Sequence, residues 1–339
     1  MAFEPLALSL SEALGTSPSI AGLRALLSRL RPAARDSLDR AWFRGGFLGA
    51  LSYDLGVAGE RAVNAAPERW RQPLVVGGLY VDWVVVDHER DEVSLVLGDE
   101  PGDDRPSLAL RRDRWRAALE DGRAPEAWSA PAGPLVRDTR PELHRSRIEE
   151  VRERIARGDF YQANLAHRFQ REMSGTPLDL YRRLREVNAA PYAAYVEWDE
   201  ATCAGGSLER GALMSASPEL LLEVEAGAQG LIARTRPIKG TAPRHADPAL
   251  DRRSAEGLLA SEKDRAELAM IVDLERNDLG RVARAGGVRV TRFAHLESYA
   301  AVHHLTADVV AELEAGRDPL DVPAALLPGG SITRAPKPA

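Results

Sequence analysis

Apolar residues recur at helical spacing between Glu142 and Arg157, where Ile148, Val151 and Ile155 share a stripe. Gly158 supplies a natural stop, because glycine tolerates the positive φ of a helix C-terminus. The period then changes. From Asp159 to Phe169 the chain alternates, which predicts a strand with Tyr161, Ala163, Leu165, His167 and Phe169 on one face and Gln162 and Asn164 on the other. Amides on such a strand face either solvent or a cleft. A second helix is predicted from Pro177 to Asn188, with Leu178, Tyr181 and Leu184 on one stripe. Strands follow around residues 192–198, 212–216, 220–224 and 231–234. Ser261 to Asp264 has the form of a capping box and opens a helix running to about Asn277.

The first third is less regular. Leu23 to Leu30 predicts a short helix, and Gly45 to Gly49 followed by Leu51-Ser52-Tyr53-Asp54 predicts a glycine-punctuated strand and turn. Leu79 to Asp87, His88 to Asp91 and Val93 to Leu97 predict a β-hairpin. A proline-rich stretch with little periodicity, residues 124–141, reads as a linker between an N-terminal region, 1–123, and a second region, 142–339.

A chain of 339 residues has room for two domains with ample core. Its net charge of −6, with no isolated basic block, argues against a nucleic-acid partner. The one cysteine, Cys203, excludes an internal disulfide framework and fits a reducing compartment. The start, MAFEPLALSLSEALG, lacks a basic leader before an apolar run, and no apolar stretch is long enough for a bilayer. These features predict a cytoplasmic protein without a membrane partner.

Cation usage points to chemistry. Of 45 Lys plus Arg residues only Lys239, Lys263 and Lys337 are lysine. Arginine cannot supply a compact amine that loses its proton and attacks carbon. Lys239, between Pro237 and Gly240-Thr241 at the end of a predicted strand, is either such an amine or a solvated turn residue. Glu219, in the turn Ser215-Ala-Ser-Pro-Glu219, is either a partly buried general acid or an exposed carboxylate. Glu267 shares a helical stripe with Lys263, Met270, Ile271 and Leu274, so it is expected to be partly buried and to need a cationic partner. Lys263 is one candidate, although Lys preceding Glu is the weaker order. Mg²⁺, which takes few protein carboxylates and completes its shell with ligand oxygens, is the other. His303 and His304 are adjacent, point apart and lack a third ligand at suitable spacing, so they do not predict a metal site. His295, at an expected strand end, is a ligand contact or a core histidine, and Pro328 to Thr333 has the form of an anion-cradling turn.

Taken together, GDFYQANL (158–165), SASPE (215–219), RPIKGT (236–241), SEKDRAELAMIVDLERNDLGRV (261–282), HLES (295–298) and PGGSIT (328–333) resemble the chorismate-utilising enzymes, the anthranilate synthase component I family. GGFLGALSYDLG (45–56) resembles that family's N-terminal region. The resemblance implies an α+β fold, a sandwich of two mainly antiparallel sheets with helices outside. Two positions choose the branch. Anthranilate-type members carry Ala at the position of Lys239, and members that add water carry Lys at the position of Gln162. The pair found here is that of the aminodeoxychorismate branch. On that resemblance Lys239 attacks C2 of chorismate, Glu219 is the general acid, Glu267 holds Mg²⁺, and Gly240, Thr241, His295 and Ser331 contact substrate. Ammonia comes from a separate glutamine amidotransferase subunit, component II. The chain departs from the family in Arg334, where members carry Gly. It also ends before the family's final strands, a carboxylate-gripping Arg and a second metal-binding Glu. That predicts a C-terminally truncated, poor catalyst. The alternatives are an anthranilate-type enzyme and a non-catalytic remnant that binds the amidotransferase.

Overall fold

The computed structural model describes residue 24 and residues 46–57, 75–98, 106–121, 133–198, 210–332 and 334–335. Cys203 and Lys337 lie outside these, as does the helix expected at Leu23–Leu30 apart from Arg24, which is helical. The described helices are α1 (Tyr53–Val57), α2 (Leu108–Glu120), α3 (Pro141–Arg157), α4 (Pro177–Val187), α5 (Pro248–Ala260), α6 (Glu262–Gly280) and α7 (Asp321–Leu326). The described strands begin with β1 (Gly46–Leu51), β2 (Val75–Tyr80), β3 (Asp82–Asp87), β4 (Glu92–Leu97) and β5 (Val136–Arg137). They continue with β6 (Gln162–Ala163), β7 (Phe169–Gln170), β8 (Tyr192–Trp198), β9 (Gly211–Ser217) and β10 (Leu220–Gly227). The last are β11 (Gly230–Arg236), β12 (Ile238–Pro243), β13 (Ala283–Ser298), β14 (Val302–Leu313) and β15 (Arg334–Ala335). The fold is α+β, as expected, with antiparallel ladders and helices beside them.

Two compact units emerge, one from Met1–Ser52, Glu68–Ala127 and Val196–Leu213, the other from Tyr53–Pro67, Trp128–Tyr195 and Met214–Ala339. In the first, β1 pairs with β2 and β3 with β4. The predicted hairpin is present, but Leu79 and Tyr80 end β2 instead of starting β3. Arg111 on α2, only 7% exposed, donates to Asp82 Oδ1, to the Gly98 carbonyl and to the Pro106 carbonyl. One guanidinium thereby pins helix, hairpin and loop.

The second unit is built on β14, which pairs along both edges. β13 runs along one edge, while β11 and β12 follow each other along the opposite edge, and β10 pairs with β11. From Leu305 to Leu313 apolar and polar residues alternate, with Asp308 and Val310 flanking Val309. Leu305, Ala307, Val309, Ala311 and Leu313 join one core with Leu268, Val272 and Leu279 of α6 and Val322, Ala325 and Leu326 of α7. The opposite face of β14 carries His304, Thr306 and Asp308, each no more than 8% exposed. A buried polar row of this kind persists only if its members find partners.

Helices α3, α4 and α6 and strands β8 to β11 fall where the pattern placed them, and Gly158 caps α3 at φ 85°. The capping box holds, Ser261 Oγ accepting from Asp264 N, although α6 runs on to Gly280. Three expectations are corrected. Residues 159–169 are not one strand but two short pieces, β6 pairing with β15 and β7 with β5. Different partners, rather than the alternation, decide that segment, and Phe160 is buried while Tyr161 is 75% exposed. Lys239 stands within a new strand, β12, because Pro237 interrupts the run that β11 begins. His295 lies inside the long β13 rather than at a strand end. The expected partial burial of Glu267 is seen: it lies at the border of the α6 core stripe, centred on Leu268, Val272 and Leu279, with a side chain 38% exposed. Strand β14 and helix α5 were not anticipated, and of β13 only a strand end at His295 was.

Asp251 of α5 ties this architecture together near the end of β12. It accepts from His245 N at 2.9 Å, from Arg244 Nε at 2.9 and 3.1 Å, and pairs with His303 Nε2 at 3.1 Å. The His245 amide first, then Arg244, hold its carboxyl at about 2, below its ordinary 3.8, against a smaller opposing effect of burial. A depressed carboxyl adds stability above its unfolded value, and that contribution is lost as pH falls through the folded value. Asp251→Asn should therefore be less stable than the parent at pH 6, the difference shrinking between pH 4 and pH 2. Urea midpoints across that range check it, and a difference constant with pH would contradict the assignment.

Candidate active site

Lys239 sits at a β-bulge. Ile238 pairs with Thr306 and Thr241 with His304, so Lys239 and Gly240 together stand opposite Leu305. A bulge adds a residue, breaks the alternation and re-aims a side chain. Gly240 makes this one possible, with φ at 87° and no room for a Cβ, which would lie 2.9 Å from both Asp264 Cβ and Leu258 Cδ1. Lys239 itself is partly buried, and among the described residues no carboxylate lies within ion-pair distance of it. Lys263 differs, being 81% exposed and 3.6 Å from Glu267 Oε1. Of these two lysines, the candidate amine is the one without a counter-ion among the described residues.

Glu219, in the turn between β9 and β10, is held from two sides. Its Oε1 accepts from Ile238 N at 3.1 Å and from Ser331 Oγ at 2.7 Å. Among the described residues no hydrogen bond engages Oε2. Asn164 Nδ2 donates to the Ser331 carbonyl at 2.9 Å, which joins the segment after β6 to the same cluster. The neighbouring Gln162 Oε1 is buried and has no hydrogen-bond partner among the described residues. The 330s segment and β12 also meet one face of α6. Gly330 is pressed on Leu274, and Gly240 on Asp264. Glu267 lies between those contacts on the stripe Asp264, Glu267, Ile271, Leu274.

The far flank of β14 mirrors the near one. β13 slips register between Arg292, opposite Asp308, and His295, opposite Thr306. The extra residue there includes Ala294, buried, at φ 54°, a conformation that costs an L-residue energy. Thr306 thus has a bulged strand on each side, one with Lys239 and one with His295. His295 Nε2 lies 2.7 Å from Thr306 Oγ1 and 3.4 Å from Glu297 Oε1, and its Nδ1 is buried without a partner among the described residues. Thr241 Oγ1 is 2.9 Å from His304 Nδ1. Burial pushes the His304 imidazole down from its ordinary 6.5, a hydrogen bond with the Gly240 backbone acting in the opposite sense. Sequence reasoning set His304 aside with its neighbour. In the structure it braces Thr241 and the bulge, while His303 turns to Ser298 and Asp251. The alternation of residues 305–313 was the signal that could have placed His304 and Thr306 on one polar face.

The site residues expected from sequence fall into two groups, both on the second unit. Glu219, Lys239, Gly240, Thr241 and Ser331 share one hydrogen-bonded neighbourhood, with Glu267 on the helix beside it; His295 is across β14, linked through Thr306. The chorismate binding enzyme family matches residues 11–339. The chain belongs to that family. It is similar to aminodeoxychorismate synthase component 1 of Klebsiella aerogenes, 38% identical over 87% of this chain and 60% of the relative. The corresponding protein of Escherichia coli is 36% identical over 91% of this chain and 62% of its own length. Anthranilate synthase component 1 of Streptomyces coelicolor is nearly as similar, 37% identical over 87% of this chain and 58% of the relative. Among solved structures, anthranilate synthase component I of Streptococcus pneumoniae superposes with a TM-score of 0.76, at 28% identity, over 93% of this chain and 68% of the other. The chain therefore spans about three-fifths of the length of the curated relatives it matches.

For a chorismate-binding enzyme the question of a metal rests on Glu267. Among the described residues no group of three or more His, Cys, Asp or Glu side chains converges. A lone, partly exposed carboxylate fits Mg²⁺ as one protein ligand, with water and a ligand's own oxygens completing the shell. Lys263 would be the side chain displaced.

The bulge yields a direct prediction. Gly240→Ala must place a Cβ against α6 at positive φ, and should cost about 1–3 kcal/mol. Gly257→Ala, in the interior of α5 with nothing near the added Cβ, should gain about 0.5–1 kcal/mol. Denaturant unfolding of the pair checks both signs; equal effects would refute the strained bulge.

Proposed function

We propose that this chorismate-binding enzyme aminates chorismate at C4, in the manner of component I of aminodeoxychorismate synthase. The observation that carries the reading is Lys239: one of only three lysines in an arginine-rich chain, partly buried, without a counter-ion among the described residues, and set at a bulge. An amine so placed suits nucleophilic attack on carbon.

In this mechanism Lys239 Nζ attacks C2 of chorismate, both double bonds of the ring diene shift, and the C4 hydroxyl departs. Glu219 gives that hydroxyl its proton, so water leaves. Ile238 N and Ser331 Oγ occupy Oε1, which leaves Oε2 as the oxygen to carry the transferable proton. Ammonia then attacks C4, both double bonds return to their original places, and the lysine amine is expelled from C2; the extra proton of the ammonium product passes to water or Glu219. Gly240, Thr241, His295 and Ser331 are the proposed substrate contacts. Glu267 is the residue that would hold Mg²⁺, whose contribution when bound is to neutralise the ring carboxylate. A glutamine amidotransferase subunit supplies the ammonia, and the product leads toward p-aminobenzoate and folate. With a single cysteine, Cys203, in the sequence, we take the setting to be cytoplasmic.

Three lysines make the test clean. With chorismate and Mg²⁺ but no ammonia, intact-mass and peptide analysis should find an adduct on Lys239 and none after Lys239→Ala. Turnover without any adduct, or an adduct confined to another residue, would contradict the nucleophile assignment. Glu267→Gln keeps the shape of the side chain and removes its charge. It should leave the unfolding free energy within about 0.5 kcal/mol of the parent, as for an ordinary surface change, while raising the Mg²⁺ concentration needed for half-maximal activity. An unchanged Mg²⁺ titration would leave Glu267 as nothing more than the partner of Lys263.

A further inference from the structure

Arg236 stands at the break between β11 and β12, directly before Pro237, and its guanidinium spans the polar face of the sheet. Nε donates to Asp308 Oδ1 at 2.7 Å, and Nη1 lies 3.3 Å from Glu297 Oε1. Glu297 is the carboxylate that meets His295 Nε2, and its Oε2 accepts from Tyr299 OH at 2.8 Å. Asp308 is 5% exposed and also receives Arg292 Nε at 2.6 Å. One planar fork therefore joins the strand that leads into Lys239 to the carboxylate beneath His295, across β14.

Resting on the proposed chorismate chemistry, we propose that Arg236 is a positioning residue that aligns His295 with Lys239. The two bulges leave each flanking strand locally out of register with β14, so ladder hydrogen bonds alone do not fix the relative setting of the two side chains. Arg236 supplies the missing constraint. Its Nε is committed to Asp308 and, because the guanidinium is rigid, Nη1 is thereby aimed at Glu297. Glu297, held by Arg236 and Tyr299, flanks Nε2 of the imidazole at 3.4 Å and orients the ring together with Thr306 Oγ1 at 2.7 Å. Lysine in place of Arg236 keeps a positive charge but cannot fork between two carboxylates. Arg292 is the natural control, because it shares Asp308 with Arg236 and makes no contact with Glu297 among the described ion pairs.

The test compares Arg236→Gln, Arg236→Lys and Arg292→Gln in the same chain. Misplacing a substrate contact relative to the nucleophile costs on the order of tenfold to a hundredfold in rate. Both Arg236 variants should lose about that much kcat with KM changed by less than about threefold, whereas Arg292→Gln should keep most of its kcat. Independently of turnover, the His295 ring resonances, assigned with His295→Asn, should move in both Arg236 variants and stay near the parent position in Arg292→Gln. Equal displacement by Arg236→Gln and Arg292→Gln would overturn the proposal, showing that the loss comes through Asp308 alone. Full kcat and parental resonances in Arg236→Lys would overturn the fork in favour of simple charge. Should the parent chain fail to consume chorismate with ammonium and Mg²⁺, that failure counts against the proposed function, and the resonance comparison still decides the role of Arg236.

Discussion

Strand β14 pairs along both of its edges while burying side chains on both of its faces, and the rest of the larger unit answers to that double commitment. One face, Leu305 to Leu313, closes the core with α6 and α7. The other buries His304, Thr306 and Asp308, groups that cost free energy unless hydrogen-bonded. Their partners have to come from the flanking strands, and they do: Thr241 for His304, His295 for Thr306, Arg236 and Arg292 for Asp308. Burial would raise the Asp308 carboxyl, and the two guanidiniums outweigh it and hold it low. The polar face is thus a structural necessity that also delivers residues of the site to fixed places.

Against that regular strand the irregular ones stand out. A bulge on either side of Thr306 sets Lys239 and His295 in backbone that breaks its own alternation. One is enabled by a glycine at positive φ, the other by an alanine there. Rigid sheet with local bulges is a way to place an amine and an imidazole without depending on a loop. The guanidinium of Arg236 links the two sides at the level where the ladder is interrupted.

Much of this was legible in the chain. Gly158, Pro177 and the Ser261 capping box mark helix ends by mechanisms local in sequence, and those helices lie where expected. The candidate site residues were picked out through motif and lysine scarcity. What local pattern could not carry was pairing. The alternation of residues 159–169 predicted one strand, yet two different partners divide it. Lys239 was expected just after the strand around residues 231–234, whereas it stands in β12, which Pro237 separates from β11, and β14 supports both. His304 was judged only as a metal ligand. Its role as a brace depends on Thr241 lying across the ladder, a separation of 63 residues.

The central claim is that a lysine amine on this sheet directs nitrogen to C4 of chorismate. Relatives similar to the chain carry both of the family's amination names, at 38% and 37% identity, so the position of the new bond is the decisive observable. Incubating the protein with chorismate, Mg²⁺ and ¹⁵N-ammonium, and locating the label in the product by NMR, measures it directly. The account predicts ¹⁵N on C4 of a product that retains its enolpyruvyl ether. Label on C2, in an aromatic product that has lost pyruvate, would contradict it.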